Sequence, residues 1–334
     1  MAAAIRALLR GVAQVDLVGS AWTGLAFVAA LFAADWRVGA YALVGTAAAT
    51  GAALLLGADR SAVERGLEGY SGCLTGIAGY LILGANPASV VVVVFGGAVC
   101  TVLTAALSRL LRGIGLPVLT APFCVVAEVL AMGSSAFGHV RAEGAGGTPP
   151  PFPIDGGTRL SALDAGRAFC ANIAEVFLLD QWYVGLIMLV GLLIASRIAA
   201  AAAAAGSAVA VLLAWALGAP AEQITAGLYG YNAVLSAIAL AATFLVLTPS
   251  SAAYTLLGVI FATVLTAAAG EALTPLHGHA YTWPFVLTTW LFMAAVPTLT
   301  RIRRRTPEPA TEPAAEPAAA PEAATAAADT TAPA

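Results

Sequence analysis

The sequence contains no lysine and few charged residues of any kind. All fifteen Lys/Arg positions are arginines, and Asp, Glu, Lys and Arg together make up 10% of the 334 residues, against about 25% in soluble domains. The missing lysine excludes the P-loop, whose lysine contacts the nucleotide phosphates. A net charge of −3 gives no sign of a nucleic-acid partner.

Reactive and metal-binding residues are also scarce. The sequence shows no nucleophile and base pair, which argues against an enzyme, and "HGH" at 277–279 lacks a third ligand and is interpreted as a loop. We therefore predict no metal and no cofactor. Four cysteines lack CxxC spacing and are predicted to be small core residues, not disulfides: Cys73, Cys100, Cys124 and Cys170.

Apolar residues, in contrast, are abundant. They make up 60% of the chain, and its mean hydropathy is +0.90, well above the composition of soluble domains. This composition predicts an all-α polytopic protein of the lipid bilayer. The opening "MAAAIRALLR" shows no cleavage site, so we expect no cleaved signal peptide.

The chain repeats itself internally. "GVAQVDLVGSAWTG" aligns with "CANIAEVFLLDQWYVG" when Gln14 is laid on Glu175, and "GLEGYSGCLTGIAG" aligns with "GLYGYNAVLSAIAL" when Tyr70 is laid on Tyr231; both offsets are 161. "TAPF" at 120–123 aligns with "TWPF" at 282–285 at an offset of 162. A nearly constant register over this distance predicts two duplicated halves.

Each half contains five apolar segments of a length typical of tilted membrane helices. They fall at 20–34, 38–57, 70–85, 88–107 and 116–133, and at 182–197, 199–218, 231–247, 251–269 and 282–300. An odd number of spans per half predicts two inverted repeats, as in many transport proteins. The segments 11–19 and 172–180 are too short to cross, so we predict that they are re-entrant half-helices.

Arginine placement predicts the orientation. With the N-terminus in the cytoplasm, the inside holds eleven of the fifteen arginines, as the positive-inside rule requires. Both termini are then cytoplasmic, in the plasma (inner) membrane of a cell. The predicted organisation is a first repeat at 1–133, an extracytoplasmic linker at 134–167, a second repeat at 168–305 and a disordered cytoplasmic tail at 306–334.

The repeated motifs supply candidate site residues. Thr120 lies between Pro117 and Pro122, and in duplicate with Thr282 it indicates a polar lining near the midplane. The alternative is a proline-kinked helix whose threonine bonds its own backbone. Gln14 and Glu175 share a side-chain carbonyl oxygen, which indicates an acceptor ladder, although Glu175 alternatively lies at an interface or pairs with an arginine such as Arg167.

Other polar and aromatic residues indicate a function less specifically. Tyr70 and Tyr231, with Leu74 and Leu235 one turn later, are either core residues or flat walls around a planar solute. Asp16 is expected at a membrane interface, and Glu128 is left without a role.

At these motifs the chain resembles the urea transporters, a family of urea channels. "LPVLTAPF" is similar to the family's LPxxTxPF signature, "GVAQV" and "NIAEV" to its pore-helix starts, and "GLYGYN" to its aromatic-Asn motif. The resemblance implies a homotrimer in which each protomer passes urea passively between aromatic slots. It also implies solute-binding residues: Gln14, Glu175, Thr120, Thr282, Tyr70, Tyr231, Val15, Val176, Leu74 and Leu235.

The chain departs from the family pattern at several of these positions. It has tyrosine where the family usually has phenylalanine, Ser71 where the second half retains Asn232, and Asp16 where an apolar residue is usual. The function predicted is a passive urea channel. The alternatives are an ion-coupled secondary carrier that uses Glu175 or Glu128, or a channel for another small neutral amide or ammonia.

Overall fold

The fold is all-helical over the part of the chain that the structure describes. The computed structural model describes residues 1–137, 139–142, 157–273 and 278–305. The predicted tail at 306–334 and much of the predicted linker lie outside these ranges. Within them, the first half contains α1 Ala2–Ala13, α2 Ala21–Ala34, α3 Trp36–Leu55, α4 Arg60–Glu64, α5 Tyr70–Leu83, α6 Pro87–Arg112 and α7 Ala121–Gly133.

The second half repeats these seven helices in the same order. They are α8 Ala162–Ala174, α9 Trp182–Ala195, α10 Arg197–Ala216, α11 Ala221–Thr225, α12 Tyr231–Ala237, α13 Pro249–Leu273 and α14 Trp283–Ala295. Backbone conformation repeats as well. Leu17 and Leu178 share φ 60°, and Leu119 and Tyr281 have φ of 54° and 38°. The duplication read from the sequence therefore extends to backbone geometry, and we call residues 161 or 162 apart repeat-equivalent.

Each half opens with a sharply bent helix pair. α1 and α2 meet at 78°, and α8 and α9 meet at 75°. The predicted half-helices at 11–19 and 172–180 were too short, because helix extends back to Ala2 and Ala162 and each ends in a 3-10 turn, Gln14–Asp16 and Glu175–Phe177. Charged residues within each half-helix hid its length from a count of apolar residues: Arg6 and Arg10 in α1, and Asp164 and Arg167 in α8.

Glycine allows each bent pair to pack closely. A Cβ added to Gly24 on α2 would lie 1.9 Å from the Leu9 carbonyl oxygen on α1, and one added to Gly185 on α9 would lie 1.8 Å from that of Cys170 on α8. These two contacts are repeat-equivalent. Small residues allow membrane helices to approach backbone to backbone. The two equivalent glycines therefore allow the same close packing at the bend in both halves.

Helix length varies more than the sequence suggested. Four described helices (α3, α6, α10 and α13) are long and apolar enough to cross a membrane alone, and six spans result if each bent pair counts as one. α5, α7, α12 and α14 are shorter. The span predicted at 116–133 begins as a helix only at Ala121, because the chain turns at Leu119. α12 continues as a π-helix over Ile238–Phe244.

The core lies where the two halves meet. One cluster of buried side chains draws on both halves. On α2, the Thr23 hydroxyl donates to the Gly191 carbonyl of α9 at 2.8 Å, and the Phe27 ring meets Phe177 edge-on at 5.4 Å. Large apolar side chains such as Phe95 remain exposed at 70%, as expected for a surface that lipid covers.

Candidate functional site: paired threonine turns between the two halves

Two threonine turns meet in the buried core. We use this name for Leu119–Thr120, which precedes α7, and Tyr281–Thr282, which precedes α14. The Oγ1 atoms of Thr120 and Thr282 lie 2.6 Å apart, so one hydroxyl donates to the other. The side chains are 2% and 1% exposed. The hydroxyls bond each other rather than their own helices, unlike the kinked-helix alternative, in which each would bond its own backbone.

A third polar side chain joins the threonines. Cys124, one turn into α7, places Sγ 3.1 Å from Thr282 Oγ1. Hydroxyl and thiol groups can each donate or accept, so this centre can exchange partners with a solute that does either.

Each threonine turn is held by a tyrosine of its own half, which is the first residue of α5 or of α12. The Tyr70 hydroxyl donates to the Leu119 carbonyl at 2.6 Å, and the Tyr231 hydroxyl donates to the Tyr281 carbonyl at 2.7 Å. The sequence did not reveal these bonds, because donor and acceptor are 49 and 50 residues apart. These hydroxyls therefore have backbone acceptors and are not free polar groups.

Each turn is also held by the opposite half. Trp290 Nε1 donates to the Pro117 carbonyl at 2.7 Å. At the repeat-equivalent place, the His279 backbone N–H donates to Glu128 Oε1 at 3.0 Å. This bond gives a partner to one carboxylate oxygen of Glu128, the acid to which the sequence analysis assigned no role. We call these two contacts the cross-half bonds.

The predicted acceptor residues end the two half-helices. Gln14 Nε2 donates to the Arg65 carbonyl at 3.0 Å. Glu175 occupies the repeat-equivalent place at the end of α8. The described ion pair of Arg167 is with Asp164, at 3.8 Å, not with Glu175. The interfacial alternative for Glu175 is untested.

Four apolar site residues are fully buried beside these groups. Each is 0% exposed and belongs to the main core: Val15, Val176, Leu74 and Leu235. Their burial fits both a packed core and the wall of a closed passage, so their role in solute passage stays a prediction.

A cavity of about 340 Å³ reaches the first threonine turn. Its lining includes Gln14, Tyr70 and Leu119, together with the polar residues Glu68 and Thr104. Burial raises the pKa of the Glu68 carboxyl, and the nearby Asp59 carboxylate raises it further. This cavity gives a small polar solute room next to the first threonine turn, at Leu119.

Asp16, which the sequence analysis expected at a membrane interface, is buried inside the protein, and its depth in the membrane stays a prediction. It is 0% exposed, and neither carboxylate oxygen has a hydrogen-bond partner in the described part of the chain. It lies in the 3-10 turn of the first half-helix, where Phe177 is its repeat-equivalent.

A duplicated fold that is all-helical over the described residues, with a bent half-helix pair in each half and polar turns meeting in the core, is typical of membrane transport proteins. Residues 5–297 match the family profile "Urea transporter". The chain is 31% identical over 300 residues to "Urea transporter 1" of Rattus norvegicus, covering 86% of this chain and 75% of that protein. It is 30% identical over 305 residues to "Urea transporter 1" of Ovis aries, with the same coverage. The chain belongs to the urea transporter family.

Proposed function

We propose that this protein is a passive channel that conducts urea down its concentration gradient, through a pathway that crosses the contact of the two threonine turns. The bond between Thr120 and Thr282 carries the proposal. This bond places two hydroxyls where the halves meet, and Leu119, next to Thr120, lines the cavity together with Gln14. The names of the similar proteins support urea as the solute.

The chemistry of the centre suits urea. Urea is planar and neutral, with four N–H donors and one carbonyl acceptor. As it arrives, its hydrogen bonds to water are exchanged for bonds to threonine hydroxyls that otherwise satisfy each other. Such an exchange is nearly neutral in net free energy. Ions gain no comparable compensation in this apolar core.

Several further features belong to the same proposal. Gln14 and Glu175 supply oxygen acceptors at the two ends of the pathway, while Tyr70, Tyr231, Val15, Val176, Leu74 and Leu235 form its walls. The two halves cross the bilayer in opposite directions, and the odd number of predicted spans supports this arrangement. The family resemblance supports a homotrimer with one pathway per protomer, in the plasma membrane.

An ion-coupled carrier is the second candidate. The observation that favours it is the half-buried acid Glu128, whose Oε2 atom is buried and has no partner among the described residues. The Oε1 of the same carboxylate accepts the His279 N–H, a bond that both a charged and a neutral carboxyl can make. The two candidates differ in one measurable property, since a channel does not accumulate its solute.

Purified protein in liposomes is expected to speed urea equilibration to the same extent with and without a proton or sodium gradient. The reason is that the threonine hydroxyls at the centre of the proposed pathway are neutral and can bond urea without an ion. Stopped-flow light scattering measures the rate, and empty liposomes provide the background. Accumulation of urea against its gradient would reject the channel and favour the carrier.

Cysteine labelling tests the orientation. Gly157 lies in the predicted outer linker and Gly113 in the loop after α6; both are exposed, and an added Cβ would meet nothing within 4 Å. In a protein without its native cysteines, Gly157→Cys is expected to react with a membrane-impermeant thiol reagent on intact cells. Gly113→Cys is expected to react only after permeabilisation. The reverse pattern would refute the proposed orientation.

A further inference from the structure

The two threonine turns have the same shape but different support. Leu119 and Tyr281 both have positive φ, a left-handed conformation that is uncommon for residues other than glycine. In the described chain, no backbone N–H donates to either residue's carbonyl. A buried carbonyl without a donor is costly, so a side chain has to supply one.

The second half supplies two donors to its turn. The Tyr281 carbonyl accepts from the Tyr231 hydroxyl at 2.7 Å and from Asn232 Nδ2 at 3.2 Å. Asn232 also accepts the Phe285 N–H in the first turn of α14, at 3.1 Å. One amide thus fastens both the turn and the start of the helix that follows it.

The first half supplies one described donor. The Leu119 carbonyl accepts from the Tyr70 hydroxyl at 2.6 Å. The residue equivalent to Asn232 is Ser71, whose buried hydroxyl has no partner among the described residues. Serine is shorter than asparagine and presents one donor instead of two, so it does not replace the amide.

We propose that Tyr70 and Tyr231 are positioning residues, whose hydroxyls fix the turns that present Thr120 and Thr282, and that the Leu119 carbonyl of the first turn depends on the Tyr70 hydroxyl alone because Ser71 stands in place of an asparagine. This inference rests on the proposed function, since the presented threonines are its solute contacts. It also gives these tyrosines a role beyond that of flat walls, because each hydroxyl is already bonded to a backbone carbonyl.

Matched phenylalanine substitutions test the asymmetry. Tyr70→Phe keeps the ring and leaves the Leu119 carbonyl without its donor, so urea permeability is expected to fall about tenfold. Tyr231→Phe leaves the Asn232 donor in place, and its permeability is expected to fall by less than about threefold. Equal effects in the two variants, or none in Tyr70→Phe, would overturn the proposal.

A second substitution tests for rescue. Ser71→Asn in the Tyr70→Phe protein adds the amide that the other half uses, and is expected to return permeability to within about twofold of wild type. If Tyr70→Phe acted only by disturbing the packing of the ring, Ser71→Asn would not restore urea permeability. A well-folded double variant that stays impaired would contradict the proposal.

If asparagine does not fit at position 71, the reciprocal pair decides. Tyr231→Phe combined with Asn232→Ser is expected to cost more than the two single changes together, because each donor replaces the other. If the loss in the double variant equals the sum of the two single losses, the two donors do not replace each other and the proposal is wrong.

Melting temperature separates this inference from the proposed function. Tyr70→Phe is expected to melt at a lower temperature than Tyr231→Phe, and adding Ser71→Asn to the Tyr70→Phe protein is expected to remove this difference, whether or not urea is conducted. A wild-type protein that conducts no urea would therefore reject the channel while the melting order still tests the turns. Equal melting temperatures together with equal flux would reject the inference alone.

Discussion

Replacing both Thr120 and Thr282 by valine is expected to slow urea passage about a hundredfold. Valine keeps the shape of threonine and removes the hydroxyl, so the contact of the two turns keeps its size and loses both hydroxyls. Each lost neutral hydrogen bond is worth about 1–1.5 kcal/mol, and each 1.4 kcal/mol at a limiting barrier is about tenfold in rate. Stopped-flow measurement in liposomes gives the permeability of the double variant and of each single variant, which we expect near tenfold.

Thr101→Val is the matched control. Thr101 is also a buried threonine, and its hydroxyl donates to the Ala49 carbonyl at 2.9 Å, between α6 and α3. Its loss is expected to lower stability slightly and leave urea permeability unchanged. Unimpaired flux in a correctly assembled Thr120→Val and Thr282→Val protein would show that the threonines serve packing, and that the pathway lies elsewhere.

Gly24→Ala is expected to destabilise the protein by about 3 kcal/mol, at the upper end of overpacking costs. The added Cβ would lie 1.9 Å from the Leu9 carbonyl oxygen, which belongs to backbone and cannot rotate away. α1 and α2 would have to separate, and Gln14 would move with the end of α1. Gly185→Ala is expected to act alike through Cys170. Thermal unfolding in detergent, monitored by circular dichroism, measures both.

Gly51→Ala provides the comparison for these changes. Gly51 lies within α3, and an added Cβ would meet nothing within 4 Å. Alanine is favoured over glycine inside a helix by up to about 1 kcal/mol, so this variant is expected to be slightly more stable than wild type. A Gly24→Ala protein that melts like wild type would disprove the close contact of the bent pair.

The repeat in the sequence was the most informative predictor of this fold. A constant offset aligned Tyr70 with Tyr231 and Thr120 with Thr282, and the structure has equivalent helices at the same offsets. Hydropathy placed the helices less well, since it extended the fifth span back to residue 116. The chain turns at Leu119, which has a left-handed backbone conformation. Hydropathy does not reveal such a conformation in a residue other than glycine.

The contacts of the site were predictable only in part. The duplication predicted that the two threonines would lie together, because repeat-equivalent residues meet near a two-fold axis. It did not predict the partner of Glu128, which is 151 residues away, nor the bonds of the tyrosine hydroxyls. Such pairings depend on how the halves dock, which no local pattern encodes. The use of these residues for urea passage stays a prediction that the transport experiments test.

The cross-half bonds bear on how two copies of one ancestral segment could diverge. In a dimer of identical chains, the same residue has to serve both equivalent contacts; in one continuous chain each contact can change alone. Glu128 accepts an N–H from His279, whereas Trp290 donates to Pro117, a residue that has no N–H to offer. A protein built from two first halves would set a carboxylate against a proline carbonyl with no proton between them. The halves have ceased to be interchangeable, and each now specifies its partner.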